Sequence, residues 1–388
     1  MILITSLLVI ICPIIGFVLA IFLYFTDKKH TVFLSIILGL IFGIISYYII
    51  PATTYDLYKL REPYFAFKNN YCAWSYFFQY ITTTKFEKIP MLYTFLISKI
   101  GNIDLLQFFI VTTGYSLLFY IMADYRKIKN IKNVYFIPIV INIIFGYYVF
   151  HAMTGLYFYF SMILFSFAFY LEYTKKKSKL ITYPIYILSL GMHTTTFFAI
   201  AILCIFKLFK EQINIKKIVL TLVLVVFSYQ LLSIICTKLN IPLISSIMNI
   251  YTAYLKNNDK TSKIYDGALF ILEFLKLTLC ILFLYKNRKN ESDKKNNSFL
   301  VLMIVCTVFM MSQSIVMIRF IMLIQFVAIV PMFDVFDNKN KNNIYIYMLM
   351  LLFSLYYIIY FFHTLSWMNL GNLFSEKIFN NLINIFKK

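Results

Sequence analysis

The sequence predicts an all-α fold: a polytopic integral membrane protein of about ten transmembrane helices plus one re-entrant helical hairpin. Three observations carry that prediction. Of 388 residues, 61% are hydrophobic and only 13% charged, with a mean hydropathy of +0.80, which is not the composition of a water-soluble domain. Apolar runs of about 20 residues, the length that crosses a hydrocarbon core as a helix, recur from end to end. The 36 lysines and arginines, which set a net charge of +20, fall between those runs rather than in one patch. Basic loops mark the cytoplasmic side of a multi-span chain, so the charge reads as topology and contact with the lipid bilayer, with no nucleic-acid partner.

In chain order, span one is Ile2 to Phe25, closed by the basic turn Asp27-Lys28-Lys29-His30. It has no basic leader and no small-residue cleavage site, so it is expected to be a retained span. Span two, Thr31 to Ile50, leads to a long external segment, 52–103. There Tyr71 to Tyr80, with Trp74 among other aromatics, has the composition of a helix lying at the membrane interface. Ile89 to Ile100 is too short to cross and is expected to be half-inserted. Asp104 to Met122 returns to the basic stretch around Arg126, Lys127, Lys129 and Lys132. Val134 to Phe150 and Leu156 to Tyr173 go out and back around a turn at His151.

The stretch 181–206 is flanked by basic loops on both sides, Lys175 to Lys179 and Lys207 to Lys217. If both flanks are cytoplasmic, it must dip in and return. Its tip is Gly191-Met192-His193-Thr194-Thr195-Thr196, where Gly191 can end the first half-helix and a threonine can cap the second. Ile218 to Ile235 then goes out, 236–267 forms a second external loop, and Ala268 to Tyr285 returns to the basic loop Lys286 to Lys295. Phe299 to Val335 is too long for one span, and the polar pair Gln313-Ser314 makes it an out-and-back pair with Arg319 near the outer turn. Ile344 to Phe362 goes out last. No soluble domain is expected; the chain is a single multi-pass membrane domain, 1–388.

The candidate functional residues gather on the external side of this topology. His193 precedes a half-helix whose N-terminus favours anions, and imidazole supplies a proton donor or acceptor near neutral pH; the alternative is a histidine that only holds the tip together. Thr194 and Thr195 share that tip. Arg319 offers a planar fork suited to phosphate, or else snorkels to headgroups. Asp56, Tyr58, Lys59 and Arg61 open the external segment, and Glu87 closes it. A carboxylate there can be a base, a sugar ligand or a solvated loop residue. Glu273 and Lys276, three apart, are spaced to pair within a span. The six cysteines are scattered without a CxxC, and no P-loop, HExxH, GxSxG or dinucleotide fingerprint occurs, so neither metal nor cofactor is expected.

These residues resemble the EpsG-type family of bacterial polysaccharide polymerases, relatives of the Wzy O-antigen and capsule polymerases. Tyr55-Asp56-Leu57-Tyr58-Lys59 looks like the family's D-L-Y-R-Y stretch, and Pro90-Met91-Leu92-Tyr93 through Gly101-Asn102 is similar to its P-L-F…G-N half-helix. Leu188 to Thr195 looks like its small-x-x-H-x-[ST] hairpin, with His193 in the histidine's place, and Ile318-Arg319-Phe320 resembles its arginine-hydrophobic pattern. The resemblance runs from about Thr31 to Pro331, in order. It departs at two places: Lys59 replaces an arginine, and Tyr157-Phe158 stands where the family often has Arg-Asn or Arg-Gln.

The resemblance implies a GT-C-like membrane glycosyltransferase at the outer face of the bacterial cytoplasmic membrane. Its substrates would be oligosaccharide repeat units on undecaprenyl diphosphate, and a flippase and a chain-length regulator of the same pathway would be its partners. Arg319 and Arg61 would meet the diphosphate, and His193 or Asp56 would take the acceptor proton. A lipid-linked oligosaccharide flippase or other transporter, an O-antigen ligase and a membrane acyltransferase are the alternatives. Fold alone does not separate them.

Overall fold

The computed structural model describes residues 2–48, 58, 60–71, 73–83, 88–145, 155–193, 195–224, 263–287, 294–309, 314–336 and 344–367. Among these the structure is helical and no strand occurs. Two helices, Leu105–Lys129 and Leu156–Thr174, are long and apolar enough to cross a membrane, and several apolar helices are shorter.

The first predicted span is not one straight helix. Helix α1 (Ile2–Ile11) stops before Cys12, and α2 (Pro13–Thr26) restarts on a proline, which has no N–H to leave unpaired in the first turn. Gly16 comes to lie against the backbone of Val9, where an added Cβ would sit only 2.5 Å from the Val9 nitrogen. A straight helix would hold residues seven apart about 10 Å from each other. After the turn, Asp27 accepts the backbone N–H groups of Lys29 and His30 and pairs with the His30 ring at 2.7 Å. That ring contact holds the Asp27 carboxyl below the usual range.

Helix α3 (Thr31–Tyr47) is followed by three helices on the segment expected to be external: α4 (Arg61–Asn69), α5 (Trp74–Thr83) and α6 (Lys88–Ile100). Phe67, Phe77 and Trp74 pack on Phe95 and bind these three into one aromatic layer. Helix α7 (Leu105–Lys129) runs through its basic residues instead of stopping at Met122. It packs along α3 through two glycines. A Cβ on Gly39 would stand 2.5 Å from the Thr112 carbonyl oxygen, and one on Gly43 would overlap the Thr112 hydroxyl. Where lipid replaces water, close backbone approach of this kind supplies much of the helix–helix attraction.

Helix α8 (Asn133–Phe145) pairs with α17 (Ile344–Trp367) through Asn142, whose amide donates to Met350 O at 3.0 Å and to Ser354 Oγ at 2.6 Å. Helix α9 (Leu156–Phe169) is buried along nearly its whole length and ends in a π-helical turn, Tyr170–Thr174. Helices α10 (Lys179–Met192) and α11 (Thr196–Leu208) fold back on each other as a hairpin beside α9. The helix α12 (215–224) follows, then α13 (Lys263–Asn287), which begins before the expected end of the second external loop. The last pair, α14 (Lys294–Phe309) and α15 (Ser314–Val327) with its short continuation α16 (Ile329–Asp334), matches the expected out-and-back arrangement.

The described basic segments meet at one end of this bundle. Arg126 donates to the last carbonyls of α2, Tyr24 O at 3.1 Å and Phe25 O at 2.8 Å. Lys129 pairs with Asp334 at 2.8 Å, Lys175 with Asp124 at 2.9 Å, and Lys295 with Glu211. Lys207, at the end of α11, pairs with Glu172 of the π turn at 2.7 Å and lies 4.8 Å from the centre of the Tyr183 ring near the start of α10. Both feet of the hairpin therefore stand at the same level.

Gly39→Ala should lower the thermal midpoint of detergent-solubilised protein by an amount equivalent to about 1–3 kcal/mol of overpacking. Gly114→Ala, which meets the Ile163 side-chain end at 3.2 Å and the Phe160 ring edge at 3.5 Å but no backbone, should change it far less. Equal losses would show that close approach of α3 and α7 is not what these glycines supply. In a cysteine-free background, Lys176→Cys and Lys210→Cys should both resist an impermeant thiol reagent applied from outside; labelling of one alone would mean that the hairpin crosses.

Candidate functional site

The hairpin tip is built by repairing a broken helix. Helix α10 ends at Met192, one residue beyond the expected Gly191, and His193 takes an extended conformation. The threonine after the break does not cap α11 in the usual sense. Thr196 Oγ1 instead turns back onto Ser189 O at 3.1 Å and His193 O at 2.8 Å, carbonyls that also accept the backbone N–H groups of His193 and Thr196, each at 3.3 Å. His193 Nδ1 accepts the backbone N–H of Thr195 at 3.1 Å. The ring nitrogen thus takes a donor that the start of α11 would otherwise strand, and the hydroxyl adds a further bond to carbonyls already paired with backbone.

The tip is located by α9 and α6. Ser189 Oγ donates to Ser161 O of α9 at 2.7 Å. Gly191 is helical, so its value is not backbone freedom: an added Cβ would overlap Ile89 Cδ1 at the start of α6. Helix α6 is held in turn by Tyr157 of α9, whose hydroxyl shares a 2.9 Å hydrogen bond with Thr94 and reaches Pro90 O at 3.4 Å. Tyr93 donates to Leu106 O of α7 at 2.6 Å. The two half-length helices that the sequence singles out, α6 and the hairpin arm α10, therefore meet at the tip.

His193 and Arg319 are brought together through Phe158. The His193 ring stands edge-to-face with Phe158, 5.3 Å between centroids at 71°. The Arg319 guanidinium carbon lies over the same ring, 4.7 Å from its centre. Phe158 is buried in the first turn of α9, while His193 and Arg319 are half-buried. Because Nδ1 accepts a hydrogen bond, the proton of the neutral imidazole sits on Nε2. His193 so held is a hydrogen-bond donor at its outer nitrogen, beside a guanidinium.

Arg61 has a different partner: it pairs with Asp104 at the start of α7, 3.3 Å away, with both side chains partly exposed. Asp104 N–H is bonded to Asn102, and Asn102 donates to the Tyr47 hydroxyl at 2.8 Å. Tyr58 is exposed, and Thr195 serves the tip through its backbone. Asp56, Lys59, Glu87, Thr194 and His151 lie outside the described residues, as does the Glu273 side chain. Lys276 is fully buried, with its ammonium 5.5 Å from the Tyr357 ring centre.

A family model described as the EpsG family matches residues 62–373. The chain belongs to the EpsG family. No curated protein and no solved structure matches it. The matched span takes in α6, the hairpin and α15, and so the helices that carry His193, Phe158 and Arg319. For an EpsG chain, membrane residence and a part in polysaccharide biosynthesis follow, and the apolar helices agree with the first.

Two contributors were not foreseen. In the sequence Phe158 stands out only as the absence of a family arginine, since one phenylalanine among 42 carries no signal of its own. Ile89 was read as the start of a half-inserted helix, not as the partner of Gly191.

Gly191→Val should displace Ile89 and lower both polymer output and thermal midpoint, and Ile89→Ala in the same chain should restore much of each. A double variant no better than Gly191→Val would place the effect elsewhere than in this contact.

Proposed function

We propose that this EpsG chain polymerises oligosaccharide repeat units carried on undecaprenyl diphosphate, at the outer face of the bacterial cytoplasmic membrane. The observation that carries the reading is the apex where His193 and Arg319 share Phe158, at the tip of a hairpin whose feet are tied into the basic end. With the basic end cytoplasmic, the tip points outward. Its arms of 14 and 13 residues reach only about 20 Å, so the hairpin is re-entrant rather than spanning. The remaining apolar runs of the sequence are then about ten spans.

The reaction would join C1 of the growing chain's terminal sugar to an acceptor hydroxyl oxygen and break the bond from C1 to the diphosphate oxygen. Negative charge grows on that departing oxygen, and the guanidinium of Arg319 and the Nε2–H of His193 would meet it. The helix dipole at the start of α11 adds a further preference for an anion. The acceptor proton needs a base. With Nδ1 taken by Thr195, His193 is better suited to donate, and Asp56 is the carboxylate assigned to the proton. Tyr58, Lys59, Arg61, Glu87, Thr194 and Thr195 would line the path of the sugar and diphosphate. Units would arrive through a flippase, with polymer length set by a regulator of the same pathway.

His193→Ala should cut polymer formation about 100- to 1,000-fold, the usual cost of one donor aimed at developing charge, with protein level unchanged. His193→Gln keeps a donor and should recover part of it. Arg319→Lys keeps the charge but loses the planar fork and should lower output sharply. Cells carrying His193→Ala should accumulate single lipid-linked units on the outer leaflet. Accumulation on the inner leaflet would point to a transporter, and full-length polymer from His193→Ala cells would remove the hairpin tip from the reaction.

A further inference from the structure

Phe158 is the side chain that His193 and Arg319 have in common, and the reaction just described gives it no task. We propose that Phe158 is a positioning residue for the diphosphate: its ring carries the Arg319 guanidinium to the apex and fixes the pose in which the leaving group meets it. This inference rests on the polymerase reading and adds to it the means by which a single guanidinium is held in place.

The ring is a fixed support. Phe158 is buried in the first turn of α9, flanked by Tyr157, whose hydroxyl is tied to Thr94 and Pro90 of α6. One turn on, Ser161 donates to Phe158 O at 2.7 Å and its own carbonyl receives Ser189 of the hairpin. The ring is therefore indexed to α6 and to the hairpin at once, while Arg319 approaches from α15. An arginine side chain is long and rotamer-rich, and a half-buried guanidinium has lost part of its water. The negative face of an aromatic ring compensates for some of that loss without using an N–H. Contact through the ring face uses no N–H, and a phosphate is met in the guanidinium plane, at right angles to that contact.

A leucine would fill the same space but has no such face, and that contrast gives the test. The full-length protein in nanodiscs is titrated with undecaprenyl diphosphate, with undecaprenyl monophosphate as the control lipid. Phe158→Leu should weaken diphosphate binding roughly 2- to 30-fold, the range expected for loss of a partly desolvated cation–aromatic contact. Phe158→Trp, with the stronger ring, should bind as tightly as the native chain or more so. Phe158→pentafluorophenylalanine keeps the size but withdraws electron density from the face, and should weaken binding as leucine does even if leucine disturbs the fold. In an Arg319→Ala background, neither change at Phe158 should cost anything further.

A fluorinated ring that binds as well as the native one, with Arg319→Ala still weak, would overturn the positioning role and leave the polymerase reading intact. Undiminished diphosphate binding by Arg319→Ala would remove Arg319 from the diphosphate site, and the inference would fall with it.

Discussion

Between His193 and Thr195 one helix ends and another begins within the bundle, and the backbone groups released there must find partners inside the chain. Unpaired polar groups away from water cost several kcal/mol each, so irregular backbone persists only where protein satisfies it. Here the Thr196 hydroxyl is shared by Ser189 O and His193 O, and the Thr195 N–H goes to His193 Nδ1. The histidine is part of the repair. Its ring cannot turn without freeing a backbone donor, and the orientation of its outer nitrogen is fixed by the same bond that closes the break.

Helix α9 extends that constraint through the molecule. At one end it presents Phe158 to His193 and Arg319 and holds α6 through Tyr157. At the other, its π turn offers Glu172 to Lys207 and Tyr170 to Asp124, the latter at 2.5 Å. A π turn widens the helix by one residue and swings the following side chains around, which here brings Glu172 toward the hairpin foot. Ionic ties hold the foot, and hydrogen bonds with aromatic contacts hold the tip. The tip is therefore located from both ends of one buried helix, and its geometry depends on how α9 sits against α7 and α15.

Much of this was legible in the sequence because two penalties are visible residue by residue. Charge cannot be buried cheaply, so the basic segments mark one end, and the structure gathers Arg126, Lys129, Lys175, Lys207 and Lys295 there. Apolar length gives the helices, including the short pair that forms the hairpin. What escaped depends on partners far away in the chain. Gly191 lies in a turn-rich stretch, which suggested a helix stop; its actual role, room for Ile89, is a contact about a hundred residues back. The break at Cys12–Pro13 was hidden because hydropathy runs on through a proline that a helix tolerates at its first position. The ion pair of Arg61 with Asp104 joins residues 43 apart in the chain, and sequence spacing carries no sign of it.

In the proposed reaction, the roles of acid and base would follow from the same break. Residue type alone left His193 and Asp56 equal as proton acceptors. A neutral imidazole has one accepting nitrogen, and at this tip it is engaged by Thr195. To act as a base through Nε2, the ring would have to move its proton to Nδ1, against the Thr195 N–H that points there, and reopen the helix end. A carboxylate has no such conflict, because its oxygens only accept. The histidine is thus better matched to the departing oxygen, next to Arg319, and the attacking hydroxyl is better matched to an acid side chain on the segment before α4. In the proposed reaction, the hydrogen bond that closes a broken helix would divide the chemistry between them.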